Sequence, residues 1–147
     1  MNRRTIGRLG MTMLGGLMTG AAVSGPTPVL VSWRWKSRLL LVFAPDADDP
    51  ALLDERGRLA GASAAMRERD LVVIEVIGAH ADRQLDPGRL RTEYGVARAR
   101  FAVILIGKDG GEKLRQDRPI AIDALFGMID RMPMRRSEAR RGPEAPP

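Results

Sequence analysis

The 147-residue chain contains no cysteine and a single histidine, His80. The first absence excludes disulfides, thiolate nucleophiles, Cys-based redox catalysis and Cys-ligated zinc. The second excludes histidine-rich metal sites, and a Ser-His-Asp triad built on any other histidine. Excess charge is missing from the middle of the chain. The formal net charge is +6, yet Pro26 to Asp130 carries 16 basic and 16 acidic residues. The positive excess belongs to the two ends, which is not the pattern of a basic nucleic-acid-binding domain, and no nucleic acid is expected as a partner.

The length suits one domain plus extensions, with a core large enough to need no disulfide or metal staple. Arg3, Arg4 and Arg8 precede an uncharged, mostly apolar or small stretch, Leu9–Val23, with Ala22 and Ser24 at signal-peptidase spacing. This reads as a bacterial-type secretory signal peptide over residues 1–25, and as a periplasmic or secreted location. The stretch is short and rich in Gly and Thr for a membrane-spanning anchor. The Arg3-Arg4 pair loosely resembles a twin-arginine signal. Residues 26–34 read as a linker, 35–134 as the folded domain and 135–147 as a basic disordered tail.

Within the domain, Arg38–Ala44 (RLLLVFA) reads as a strand buried on both faces. Asp46, Asp48 and Asp49 follow. Their spacing lacks the glycine of a calcium loop, so a helix cap at Asp48 or Asp49 with Pro50 in the first turn is the better reading, and no metal is expected. Pro50–Arg67 reads as one helix, Leu71–Ile77 as a second buried strand with Glu75 near its end or an exposed edge, and Gly78–Leu85 as a polar loop. Asp86-Pro87 opens a short helix that stops at Gly95.

Phe101–Arg115 (FAVILIGKDGGEKLR) is the stretch around which the chain is organised. Six apolar residues run into a Gly-Lys-Asp-Gly-Gly turn, so Phe101–Gly107 and Glu112–Gln116 are expected as an antiparallel hairpin. A last helix begins near Asp117–Pro119 and ends at Pro133. Its stripe is Ile122, Leu125, Phe126 and Ile129, and Ser137–Pro147 has no apolar period. Trp33 and Trp35 are expected to cover the edge of the core, with Arg34 exposed between them.

The order strand, helix, strand, helix, strand, hairpin strand, helix is thioredoxin-like. It implies an α/β domain with a central mixed sheet of about four strands, two βαβ-type crossings and helices on both faces. The segments RLLLVFAP, RDLVVIEV, FAVILIGKDGGEKLR and LFGMIDRMPMRRSE, in this order, resemble a bacterial exported family of unknown function. Its relatives include domains of sushi-repeat-containing extracellular matrix proteins. The resemblance covers about Trp35 to Arg141 and implies a thioredoxin-like fold nearest to peroxiredoxins. It implies no established activity.

In thioredoxins and peroxiredoxins the reactive cysteine follows the first core strand. Here that place is Ala44-Pro-Asp-Ala-Asp-Asp49, with carboxylates and no thiol. No activated nucleophile or acid–base pair can be named, so no enzyme activity and no cofactor are expected. The expectation is a non-catalytic exported binding or adaptor module with a protein partner. The alternatives are an enzyme of another type, or a binder of anions or an anionic membrane surface. The candidate residues for the latter are Lys108, Lys113, Arg115 and Arg118 around the hairpin, with Arg135 and Arg136 in the basic end. Lys113 and Arg115 alternate with Leu114 and are expected on one strand face. Asp109 and Asp130 are the acids able to neutralise this cluster, which would make it structural.

Overall fold

A computed structural model of the chain describes residues 29–142. The expected signal peptide and residues 143–147 of the expected tail lie outside the described residues. Five strands form one mixed sheet in the order β3-β2-β1-β4-β5. They are β1 (Arg38–Ala44), β2 (Leu71–Ile77), β3 (His80–Ala81), β4 (Ala102–Ile106) and β5 (Glu112–Gln116). The helices are α1 (Pro50–Leu59), α2 (Ser63–Glu68), α3 (Pro87–Tyr94), α4 (Ile122–Asp130) and α5 (Pro133–Arg141). The α/β class and the helix-flanked mixed sheet are as expected from the sequence, with one more strand.

β1 is central because it is apolar on both faces, and every residue of it is buried. Strand geometry sends alternate side chains to opposite faces. Leu39, Leu41 and Phe43 join Leu90 of α3, Ile74, Ile104 and Ile106 in one core. Leu40, Val42 and Ala44 join Leu52 of α1 and Leu125 and Ile129 of α4 in the other. β1 pairs parallel with β2 and antiparallel with β4. Only the first crossing is therefore a βαβ unit. The second, through α3, delivers β4 in the opposite direction, which corrects the expectation of two.

The single helix expected over 50–67 is two. Gly61 adopts a left-handed φ of 79°, which ends α1, and Ser63 restarts the chain as α2. Asp49 caps α1 as expected, accepting hydrogen bonds from the Ala51 and Leu52 amides at 3.0 Å. Gly95, at φ 63°, closes α3. The expected loop 78–85 contains β3, too short for any sequence period. Asp82 completes this edge by accepting from the Glu75 amide at 2.9 Å. Glu75 itself lies on the edge of β2 that β3 does not reach, so the edge alternative holds, and it pairs with Arg56 of α1 at 2.7 Å.

The β4–β5 hairpin forms where expected, with Gly110 at φ 82° in its turn. A bulge near Leu105/Ile106 leaves Lys113 as the extra residue of β5, because Leu114 pairs with Leu105 and Glu112 with Ile106. Simple alternation of Lys113 and Arg115 is broken there. α4 presents the expected stripe but starts at Ile122, after a connection in which Ile120 is buried. Pro133 does not merely end that helix; it opens α5. Two boundaries move accordingly. Leu30 is buried and residues 31–33 form a 3-10 turn, so the fold begins inside the expected linker. Residues 135–141, expected to be disordered, are helical.

Candidate functional site

At one end of the sheet, α5 lies across the start of β1, the turn before β2 and the hairpin turn. α5 is rich in arginine and has little apolar surface to bury. It is attached by charge. Arg38 opens β1 and is 1% exposed, because the apolar run behind it draws its backbone into the core. Its guanidinium reaches Glu138 of α5 at 3.2 and 3.3 Å, and the Arg69 carbonyl at 2.8 Å. The hairpin turn delivers Lys108 to the same carboxylate at 2.6 Å, and Lys108 also pairs with Asp70 at 2.7 Å. One turn earlier on α5, the buried Arg135 donates to the Glu68 carboxylate at 2.7 Å and the Glu68 carbonyl at 3.0 Å. Asp130 bridges Arg135 at 3.4 Å and Arg69 at 2.9 Å, and Arg69 stacks on Phe126 with its guanidinium carbon 4.4 Å from the ring centre.

This is a lattice in two parts: Asp70, Lys108, Glu138 and Arg38 pair in a chain, Arg69, Asp130, Arg135 and Glu68 pair in a ring, and Arg38 joins the two through the Arg69 carbonyl. Burial alone would raise the Glu138 carboxyl, but hydrogen bonds from Lys108 and Arg38 outweigh it and hold the group below its usual range. The hydrogen bond from Arg69 does the same for Asp130. A buried guanidinium needs such partners, since an uncompensated charge in the interior is strongly destabilising. The lattice fastens α5; it leaves no excess positive charge for an anion.

The candidate residues from the sequence divide into three groups. Lys108 and Arg135 are brought to this one end and are neutralised there, Arg135 by Asp130 as anticipated. Lys113 turns back to Asp109 at 2.7 Å and Arg115 pairs with Glu112 at 2.8 Å, both outside the lattice. Arg118 and Arg136 are exposed and make no ion pair among the described residues. The sequence reading missed Arg38, Arg69 and the acids Glu68 and Asp70. One signal for Arg38 was available: an arginine leading directly into a buried strand must find a carboxylate or carbonyls.

The place after β1 is closed by similar means. Asp46 accepts from the Asp48 amide at 3.0 Å, and Asp49 caps α1. No group of His, Cys, Asp and Glu among the described residues is placed to hold a metal ion. The carboxyl ends of β1 and β2, where open α/β sheets usually receive ligands, are occupied by Arg91 of α3. Its Nη2 donates to the Ala44 and Val76 carbonyls at 2.8 and 3.3 Å. Burial, and then the nearby Arg98, lower the Arg91 pKa from its ordinary value. On the opposite face, Glu55 of α1 is 0% exposed. One of its oxygens accepts from the Ile120 amide at 2.7 Å and the other has no partner; burial raises this carboxyl.

The tryptophans behave differently from one another. Trp33 packs against the core, as expected. Trp35 does not: it is 68% exposed, with a left-handed φ of 65°. Such a backbone is an outlier for a bulky residue. It is held by the Trp35 amide, which donates to the Lys108 carbonyl at 2.6 Å. Trp35, Pro133, Met134 and Arg141 line a shallow groove beside the lattice.

Residues 29–138 match the family described as "Domain of unknown function (DUF4174)", and the chain belongs to that family. The matched span begins at the N-terminal turn and ends at Glu138, the residue through which α5 is fastened.

Proposed function

We propose that this member of a family without assigned biochemistry is a non-catalytic, exported, thioredoxin-like binding module. The strand order β2-β1-β4-β5, with β1 and β2 parallel, supports the thioredoxin-like reading. The N-terminal arginines followed by an uncharged stretch support export. The observation that carries the binding role is Trp35. A large aromatic held in a strained conformation and turned to solvent does nothing for the core, and tryptophan is the residue type most enriched at the energetic centres of interfaces. Pro133 and Met134 extend its apolar surface. Arg141 at the groove is exposed and has no carboxylate among the described residues. The occupant that fits is a segment of a partner protein carrying an apolar side chain next to an acid.

The test is crosslinking in periplasm followed by affinity recovery. The wild type is expected to yield one partner whose capture persists at high salt, and Trp35→Ala is expected to lose it. Equal capture by Trp35→Ala would remove Trp35 as the carrier of the role.

One observation favours a second reading, in which the protein sits on an anionic envelope surface. Arg118, Arg131, Arg136 and Arg141 are exposed and outside every ion pair among the described residues, and Arg140 reaches only the Ser137 hydroxyl at 3.4 Å. Juxtaposed basic residues contribute about 1 kcal/mol each at an anionic leaflet. Binding to vesicles containing anionic lipid, lost on Arg136→Gln with Arg140→Gln and at high salt, would establish this reading. Equal binding to neutral vesicles would dismiss it.

A further inference from the structure

A second concavity lies on the other side of the hairpin turn. It is a cleft of about 270 Å³ between the N-terminal turn, the end of α3 and the β4–β5 turn. Its floor is apolar: Leu39 and Ile106 are direct partners across β1 and β4 and both line it. Its rim is polar. Arg34 rests over the hairpin turn, where a Cβ on Gly110 would stand 2.5 Å from Arg34 Nε, so glycine is what leaves this seat open. Opposite, Glu93 on α3 accepts from the Val29 amide through Oε2 at 2.9 Å, and its Oε1 has no donor among the described residues.

Arg34 and Glu93 do not pair with each other or with any other charge among the described residues. Two hydroxyls on the same cleft, Ser37 and Tyr94, make no hydrogen bond there either. The remaining rim charge, Glu112, has both oxygens held by Arg115 at 2.9 and 2.8 Å. Burial, followed by the charges of Glu93 and Glu112, pushes the Tyr94 phenol up to about 12, so it keeps its proton as a donor. What faces the cleft is one cation and one anion that leave each other unneutralised above an apolar floor.

We propose that this cleft binds a small apolar α-amino acid, with its carboxylate on Arg34, its ammonium on Glu93 and its side chain on Leu39 and Ile106. A simple carboxylic acid would meet Arg34 but set a like charge against Glu93. A simple amine would leave Arg34 unmatched. The volume lies just under the roughly 300–1,000 Å³ usual for ligand pockets, which suits a ligand of amino-acid size. The site is independent of the Trp35 groove, so either can fail alone.

The experiment is an NMR titration of the full folded domain with L-leucine, 4-methylpentanoate and isopentylamine, which share the branched tail and differ in their charges. Leucine is expected to saturate shifts at the backbone amides of Arg34, Tyr94 and Gly107–Glu112. It should bind roughly tenfold tighter than either half-ligand, the scale of one charge-assisted hydrogen bond. Arg34→Gln and Glu93→Gln should each remove about that factor for leucine. Glu93→Gln should leave 4-methylpentanoate no weaker. His80→Ala, on the far edge strand, should change nothing. Lack of saturation at millimolar leucine, equal affinity for all three ligands, or unchanged leucine binding in Arg34→Gln would each overturn the proposal.

Discussion

α4 and α5 are consecutive helices of nine residues each, and they are attached to the sheet by different physics. α4 buries Leu125 and Ile129 against Leu40 and Val103, with Ile122 and Phe126 at the margins. α5 buries no apolar residue. Its one buried side chain is Arg135, and Glu138 ties it to Arg38 and Lys108. Hydrophobic attachment is non-directional and nearly indifferent to salt and pH. Attachment through ion pairs depends on both, and on each partner being present. The helix that continues the core is therefore the robust one, and the helix that carries the exposed arginines is the conditional one.

The comparison is tested most severely at α4. Leu125→Ala should cost about 2–5 kcal/mol of global stability in denaturant titration, through lost burial and the cavity left behind. Glu138→Ala should cost less, about 1–3 kcal/mol, because Glu138 is partly solvent-exposed while Arg38 loses its carboxylate. Its effect should concentrate in α5, read as faster amide exchange there while α4 keeps its protection. A loss spread evenly over both helices would erase the distinction.

Acid provides a gentler probe. The folded-state carboxyls of Asp130 and Glu138 titrate below their ordinary values of 3.8 and 4.5. Their stabilisation is fully present above those ordinary values and is lost as pH falls through the lower, folded ones. Glu55 runs the other way: its folded carboxyl lies above 4.5, so its ionisation opposes folding and protonation relieves it as pH falls. As pH falls below 4.5, α5 amides should lose protection before those of α4. Simultaneous loss would contradict ionic attachment. The smallest expected effect is at the hairpin. Lys113→Ala removes an exposed pair with Asp109 and should change stability by no more than about 0.5 kcal/mol. A larger value would show that the bulged Lys113 packs on Gly107 with more consequence than its charge.

The same contrast separates what could be read in the sequence from what could not. β4 is an unbroken apolar run, β1 is one after its opening Arg38, β2 is one interrupted only by Glu75, and α4 has a helical stripe. Each announces itself through the residues it buries, whereas the Asp109-Gly110 turn announces itself through the backbone freedom of its glycine. α5 has no stripe because its partners are charges far away in the chain: Glu138 and Arg38 are separated by 100 positions. No local period encodes that pairing, so the same arginines looked like a loose basic tail. β3 is too short to carry a pattern. The candidate cations were legible as a cluster, yet their neutralisation required knowing that Asp70, Glu68 and Glu138 meet at one end of the sheet. The Arg34–Glu93 cleft was not legible for the same reason, and Trp35 was misjudged because the left-handed turn that points it outward depends on the Lys108 carbonyl.

Lys108 serves both ends of the described chain at once. Its carbonyl accepts from the Trp35 amide, and its ammonium donates to the Glu138 carboxylate. The N-terminal turn and the last helix are thus latched to a turn in the middle of the domain, and neither latch exists until the β4–β5 hairpin has closed. In kinetic terms, contacts that need a closed hairpin are expected to form after it, on the native side of the folding barrier. Lys108→Ala removes the Glu138 latch and leaves the backbone latch to Trp35, so it should quicken unfolding while leaving the folding rate nearly untouched, and the ammonium bears on how long the folded domain persists more than on how fast it is made.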